Sequence, residues 1–231
     1  MIYAIIGLIC LMPVIFYIGY RYGFKKASQA FFEMLFKFGF DTKVKAFKSL
    51  NKHAKPDGIV FVGDSITQDF NVCEYFKGYH VYNRGIGGDT TEGLLKRLDV
   101  SIAALKPSQV FIQMGTNDLE LLEATPDEIY KRISEVVTHI RTHFKKTEIY
   151  LISLYPVNPL MDKTTVGRRT NENIQKTNSL IKTIQGITFI NIYDKLINED
   201  VLNPDYSLEG LHLNQEGYEV VSKVIQPYLK K

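Results

Sequence analysis

Ile59-Val60-Phe61-Val62-Gly63-Asp64-Ser65 sets four apolar residues directly against a glycine, a carboxylate and a hydroxyl. A short apolar run bounded by glycine and polar residues reads as a strand buried on both faces. The same pattern recurs twice. Residues 79–82 lead into Asn83-Arg84-Gly85-Ile86-Gly87-Gly88-Asp89, and residues 110–114 lead into Gly115-Thr116-Asn117-Asp118. Strands are expected at 59–62, 79–82, 109–114, 148–154 and 187–192. Helices are expected at 67–76, 90–104, 126–144, 168–185 and 215–229, the third opened by Thr125 as N-cap and Pro126 at the first helical position. Such alternation gives a three-layer α/β/α sandwich around a central parallel five-stranded sheet. Ligands of an open α/β sheet bind beyond the carboxyl ends of its strands. The three polar segments are therefore expected side by side on one rim.

The 231 residues suit one core domain with an appendage. Cys10 and Cys73 lie in different regions, so no disulfide framework is indicated. The net charge of +3 conceals an asymmetry: residues 21–55 hold nine Lys/Arg against two acids, leaving the remainder mildly acidic. A nucleic-acid enzyme would more often carry its basic patch on the domain itself, so no nucleic-acid partner is expected.

Residues 2–20 contain no charge, and Arg21, Lys25 and Lys26 follow at once. Nineteen helical residues span about 28 Å, close to the hydrocarbon thickness of a bilayer. Neither a basic leader nor a small-residue cleavage site marks a signal peptide. A transmembrane anchor is expected at 1–23, single-pass, with the cations holding their flank in the cytoplasm and the domain cytoplasmic-facing; a domain on the extracellular face is the alternative. Residues 24–56 mix phenylalanines with lysines and read as a basic amphipathic juxtamembrane linker, broken near Gly39. It would lie on an anionic membrane surface or pack on the domain. Residues 57–231 are expected to form the α/β domain.

Ser65 follows Gly-Asp at a strand end, where a strand-to-helix turn exposes its hydroxyl beside a helix N-terminus. Gly85, Gly87 and Gly88 lack the spacing of a dinucleotide loop and read as a turn that frees a backbone N–H. Asn117 offers a side-chain amide to a developing oxyanion. His212 stands three residues after Glu209, close enough for the carboxylate to fix the imidazole tautomer. His139 and His143 are spaced i, i+4 but lack the glutamate of a zinc-protease helix, so they read as a solvated helix face. His80 falls within the second expected strand. The irregular stretch 155–167 and Arg168-Arg169 are expected to shape a substrate pocket, the arginines as solvated helix-start cations.

Gly63-Asp64-Ser65, Gly85 to Asp89, Gly115 to Asp118 and Glu209-Gly210-Leu211-His212, in this order, resemble the SGNH hydrolases, also called the GDSL esterase/lipase family. The resemblance covers residues 57–229. Residues 83–91 and 210–214 look most like its platelet-activating-factor acetylhydrolase-like bacterial branch. It implies a flavodoxin-like sandwich, Ser65 as nucleophile and His212 as general base. It also implies an oxyanion hole made by the Ser65 and Gly88 amides with the Asn117 side chain. The expected function is hydrolysis of a small-molecule carboxylic ester (a short acyl ester, a lipid or an acetylated sugar) without metal or organic cofactor. That family usually places Asp where Glu209 stands. Asp205 is a substitute acid, and an unassisted Ser–His pair is a third arrangement. A retired hydrolase serving as a membrane-tethered binding protein, and an acyltransferase, are the rival readings.

Overall fold

In the computed structural model residues 2–231 are described, except for the side chains at 2–11, 13–16, 18 and 29. The chain divides into two units, Met1–Asp41 and Thr42–Lys231. Helix α1, Ile2–Leu50, is continuous, so the expected break at Gly39 does not form. A lone glycine within a helix costs only about 1 kcal/mol relative to alanine, and no proline or cap stands beside this one. The anchor expected at 1–23 falls largely on side chains outside the described residues. Among the described residues no helix is long and apolar enough to cross a membrane.

The expected boundary at residue 57 moves to Thr42. Phe47 is buried, and the Arg84 guanidinium lies 4.8 Å from its ring centroid. Asn51 Oδ1 accepts from Arg84 Nη2 at 2.9 Å, and Asn51 Nδ2 donates to the Val100 carbonyl at 2.7 Å. The end of α1 and the turn after it thus shelter a cation that would otherwise be stranded on the edge strand.

The second unit holds five parallel strands: β1 (Ile59–Gly63), β2 (Val81–Gly85), β3 (Gln109–Gln113), β4 (Glu148–Ile152) and β5 (Thr188–Ile190), in the order β2-β1-β3-β4-β5. α2 (Ser65–Gln68) and α3 (Val72–Tyr75) follow β1, and α4 (Thr91–Lys96) and α5 (Leu98–Ser101) follow β2. α6 (Thr116–Leu121) and α7 (Pro126–His143) follow β3, and α8 (Lys163–Val166) and α9 (Asn171–Ile181) follow β4. α10 (Tyr193–Leu196), the antiparallel pair β6 (Ile197–Asn198) and β7 (Val201–Leu202), and α11 (Gln215–Ile225) complete the chain.

Alternate residues of each strand face opposite layers. Val60, Val62, Val110 and Ile112 pack with Ile129, Ile133, Val137 and Ile174. Ile59, Phe61, Phe111 and Tyr150 pack with Phe76, Tyr218, Val221 and Ile225. On that second face the rings of Phe76, Phe61, Phe111 and Tyr150 stack in series, with centroids 5.5, 4.8 and 4.5 Å apart. Because both faces are covered, the central residues of β1, β3 and β4 form continuous apolar runs rather than alternating ones.

Three local expectations are revised. The helix expected at 90–104 divides into α4, α5 and a 3-10 turn at Ala103–Leu105. β2 begins at Val81, after His80, and runs through the polar Asn83 and Arg84. Asn83 Nδ2 donates to the carbonyls of Thr67 and Phe70 at 2.6 and 2.9 Å. Those bonds occupy acceptors at the end of α2, so the single helix expected at 67–76 becomes two short ones.

Candidate active site

The register aligns Gly63 with Gly85 on one side and with Gln113 on the other. The segments that follow these three residues therefore leave the sheet at one level, at the β1/β3 point where strand order reverses. Gly63 admits no side chain: a Cβ there would lie 1.9 Å from Thr67 Oγ1 and 2.4 Å from the Gln113 carbonyl. This contact draws α2 tightly against the end of β1. Asp64 caps α2, its Oδ1 accepting from the Ile66 amide at 3.0 Å. Ser65 is the first helical residue, two positions earlier than the helix start expected near Thr67.

Ser65 Oγ lies 3.0 Å from His212 Nε2. His212 Nδ1 lies 2.5 Å from Glu209 Oε1, which also accepts from the His212 amide at 3.0 Å. With its proton on Nδ1 facing the carboxylate, the imidazole presents an acceptor to the serine hydroxyl. Glu209 takes the position beside His212; Asp205 stands exposed in the turn Pro204–Tyr206. The 207–212 loop is closed by Ser207, whose hydroxyl donates to the His212 carbonyl at 3.0 Å and accepts from the Gly210 amide at 2.7 Å. Gly210, at φ +93°, brings its backbone so close to Asn158 that a Cβ would lie 2.1 Å from that carbonyl. Tyr218 Oη donates to the Ile66 carbonyl at 2.8 Å and joins α11 to α2.

Gly88 adopts φ +73° in a turn that passes beside the serine; a Cβ on Gly87 would lie 4.0 Å from Ser65 Cβ. The Gly87 amide donates to Gln68 Oε1 at 3.1 Å. Among the described residues the amides of Ser65 and Gly88 donate to no protein acceptor. Asn117 is buried; its Nδ2 donates to the Asp89 carbonyl at 3.0 Å, and its Oδ1 accepts from Arg169 Nη2 at 2.8 Å.

Beneath the rim lies a buried polar layer that the sequence reading did not include. Arg97 meets Asp89 at 2.7 Å and donates to the carbonyls of Arg84 and Gly63 and to Ser101 Oγ. Burial pushes Asp89 up and Arg97 down, and each restores the charge of the other. Thr91 donates to Asp118 through both its amide and its hydroxyl. Asp64 is fully enclosed, its Oδ2 meets no hydrogen-bond partner, and desolvation raises its carboxyl to about 7. Arg169, expected as a solvated cation, is buried, whereas Arg168 is exposed and pairs with Glu123. The stretch 153–158, within and just before the expected pocket loop, is buried as well. Among the described residues no group of three or more His, Cys, Asp or Glu is arranged to hold a metal ion. His139 and His143 stack ring on ring at 4.3 Å along the outer side of α7.

A doubly wound α/β/α sandwich that carries a hydroxyl–imidazole–carboxylate chain beside unpaired amides has the framework of a hydrolase. A family model for the GDSL-like lipase/acylhydrolase family matches residues 61–220, and the chain belongs to that family. It is 29% identical over 186 residues to the platelet-activating factor acetylhydrolase IB subunit alpha2 of Rattus norvegicus, covering 74% of this chain and 75% of that one. A solved structure from Streptococcus pneumonia, provisionally named a platelet activating factor, superposes with a TM-score of 0.82. It is 27% identical, covering 88% of this chain and 98% of that one. A GDSL-like lipase from Bacteroides thetaiotaomicron gives 0.67 at 27% identity, covering 80% and 96%.

Proposed function

We propose that this acylhydrolase is a serine esterase that cleaves carboxylic esters through an acyl-enzyme on Ser65. The observation that carries the reading is the continuous hydrogen-bonded chain from Ser65 through His212 to Glu209. His212 Nε2 takes the hydroxyl proton as Ser65 Oγ attacks the ester carbonyl carbon. The carbonyl oxygen becomes an oxyanion held by the Ser65 and Gly88 amides and Asn117 Nδ2. Collapse breaks the bond to the alcohol, which leaves with the proton from His212. Water, deprotonated by the same imidazole, then attacks the acyl-enzyme, and Ser65 Oγ recovers the proton as the acid departs. Glu209 holds the ring and balances the imidazolium that forms in each half.

The likeness to proteins named acetylhydrolases favours short acyl groups as the first substrates to assay. The uncharged stretch 2–20 and its cationic flank support an anchor with the domain on the cytoplasmic side. Phe24, Phe31, Phe32 and Phe38, exposed along α1, support contact with a lipid surface. Carbonate-resistant membrane association, with the domain protected from external protease in intact cells, is expected; release of the full chain by carbonate would remove the anchor from the reading. The activity is tested with the full chain in detergent on p-nitrophenyl acetate, butyrate and octanoate. Turnover abolished by Ser65→Ala is the expected result. Undiminished turnover in that variant would overturn the assignment.

A further inference from the structure

Arg169 is buried to 6% exposure, and four of its hydrogen bonds go to neutral acceptors. Nε donates to the Thr116 carbonyl at 3.0 Å, Nη1 to the carbonyls of Thr165 and Val166 at 3.2 and 2.9 Å, and Nη2 to Asn117 Oδ1 at 2.8 Å. No carboxylate forms an ion pair with it among the described residues. The other buried arginine in this layer, Arg97, has Asp89 as its counter-charge. The carboxylates of Glu120 and Asp64 support the charge of Arg169 only from beyond ion-pair distance, and a guanidinium buried without a contacting anion is costly.

The Asn117 carboxamide has one acceptor and two donor positions. Arg169 takes the acceptor and the Asp89 carbonyl takes one N–H, which leaves a single N–H free. A flipped amide would set oxygen against the Asp89 carbonyl and NH2 against the guanidinium, so both contacts would be repulsive. The amide is locked in the one orientation that donates outward.

We propose that Arg169 is the positioning residue of the oxyanion hole. It fixes and polarises the Asn117 amide, and through that amide its charge acts on the oxyanion that forms on the substrate during each half-reaction. The inference rests on the assignment of Asn117 as an oxyanion donor. Because the anion exists only in the tetrahedral species, the cation stabilises the transition state and not the bound ester.

The test compares Asn117→Ala, Arg169→Met and the double variant in the full chain, read as kcat, KM and affinity for a boronic acid that forms a tetrahedral anionic adduct on serine. Asn117→Ala is expected to lower kcat by roughly 10²–10³-fold. Arg169→Met should lower kcat by roughly 10–100-fold and weaken the boronate in parallel, with KM shifted less than about threefold. The double variant should be no slower than Asn117→Ala, because the cation acts through that side chain. An Arg169→Met enzyme close to wild type in kcat, or single losses that multiply in the double variant, would overturn the proposal while leaving the esterase reading intact. Wild-type turnover by Asn117→Ala would instead remove the oxyanion assignment on which it rests. Should Arg169→Met fail to fold, Arg169→Lys runs the same cycle with the same contrary outcomes, since one ammonium cannot replace the four-way contact.

Discussion

A carboxylate one methylene longer than aspartate still meets the imidazole because Glu209 folds back on its own loop. Its Oε1 accepts from both the His212 amide and Nδ1, so the extra bond length is absorbed in a closed turn. Glu209→Gln keeps the volume but offers an amide that favours the wrong tautomer. It is expected to lower kcat by roughly a thousandfold or more with little effect on KM, measured by steady-state ester hydrolysis. Asp64 carries a different consequence. Its ordinary value is 3.8 and burial raises it to about 7 in the folded chain. Below 3.8 both states are protonated and the group is neutral in its effect. Between 3.8 and 7 the unfolded chain ionises while the folded one does not, so stability falls as pH rises and levels off above 7. The full loss is on the order of 4 kcal/mol. Asp64→Asn, which keeps the cap on Ile66, should therefore raise Tm relative to wild type more at pH 8 than at pH 5. An equal offset at both values would contradict the buried acid. At this scale the proximity of Ser65, His212 and Glu209 was legible because their chemistry is written in short motifs. The inward turn of Arg169 was not, because nothing in Arg168-Arg169 tells which of two adjacent cations points inward; that follows from the bonds that hold the segment after α8 on α6, Arg168 amide to Glu120 and Arg169 to the Thr116 carbonyl.

Elements whose limits are set by local chemistry were legible, and those limited by distant partners were not. Thr125, Pro126 and Glu128 form a complete capping box at the start of α7, with the Glu128 carboxylate on the Thr125 amide at 2.8 Å. Thr125→Ala should cost about 1 kcal/mol, seen as a lower urea midpoint with unchanged activity per folded molecule; an unchanged midpoint would deny the cap its role. β1 and β3 were read closely because both are buried runs of apolar residues. β2 was displaced because Asn83 serves the neighbouring α2, and Arg84 serves Phe47 of α1 and Asn51 just beyond it, a reason invisible in the strand's own sequence. The same side-chain bonds from Asn83 explain why a periodic stretch at 67–76 yields two short helices.

For the whole molecule, the composition and the order of elements sufficed for the sandwich, but the start of the domain depended on tertiary contacts of Phe47 and Asn51. A chain that begins at Thr42 should retain the stability and turnover of the second unit. One that begins at Asp57 loses the ring under Arg84 and should be less stable by at least about 3 kcal/mol, measured by chemical unfolding. Equal stability of the two would show that the end of α1 contributes nothing to the domain. The central proposal is that the substrate acyl group is carried covalently by Ser65. The direct measurement is rapid quenching of full-length protein during p-nitrophenyl acetate turnover, followed by mass mapping of the peptides. An acetyl group on Ser65 that accumulates within one turnover, and is absent from Ser65→Ala, is the expected result. Hydrolysis at full rate with Ser65 unmodified, or with the acetyl group on another residue, would contradict it.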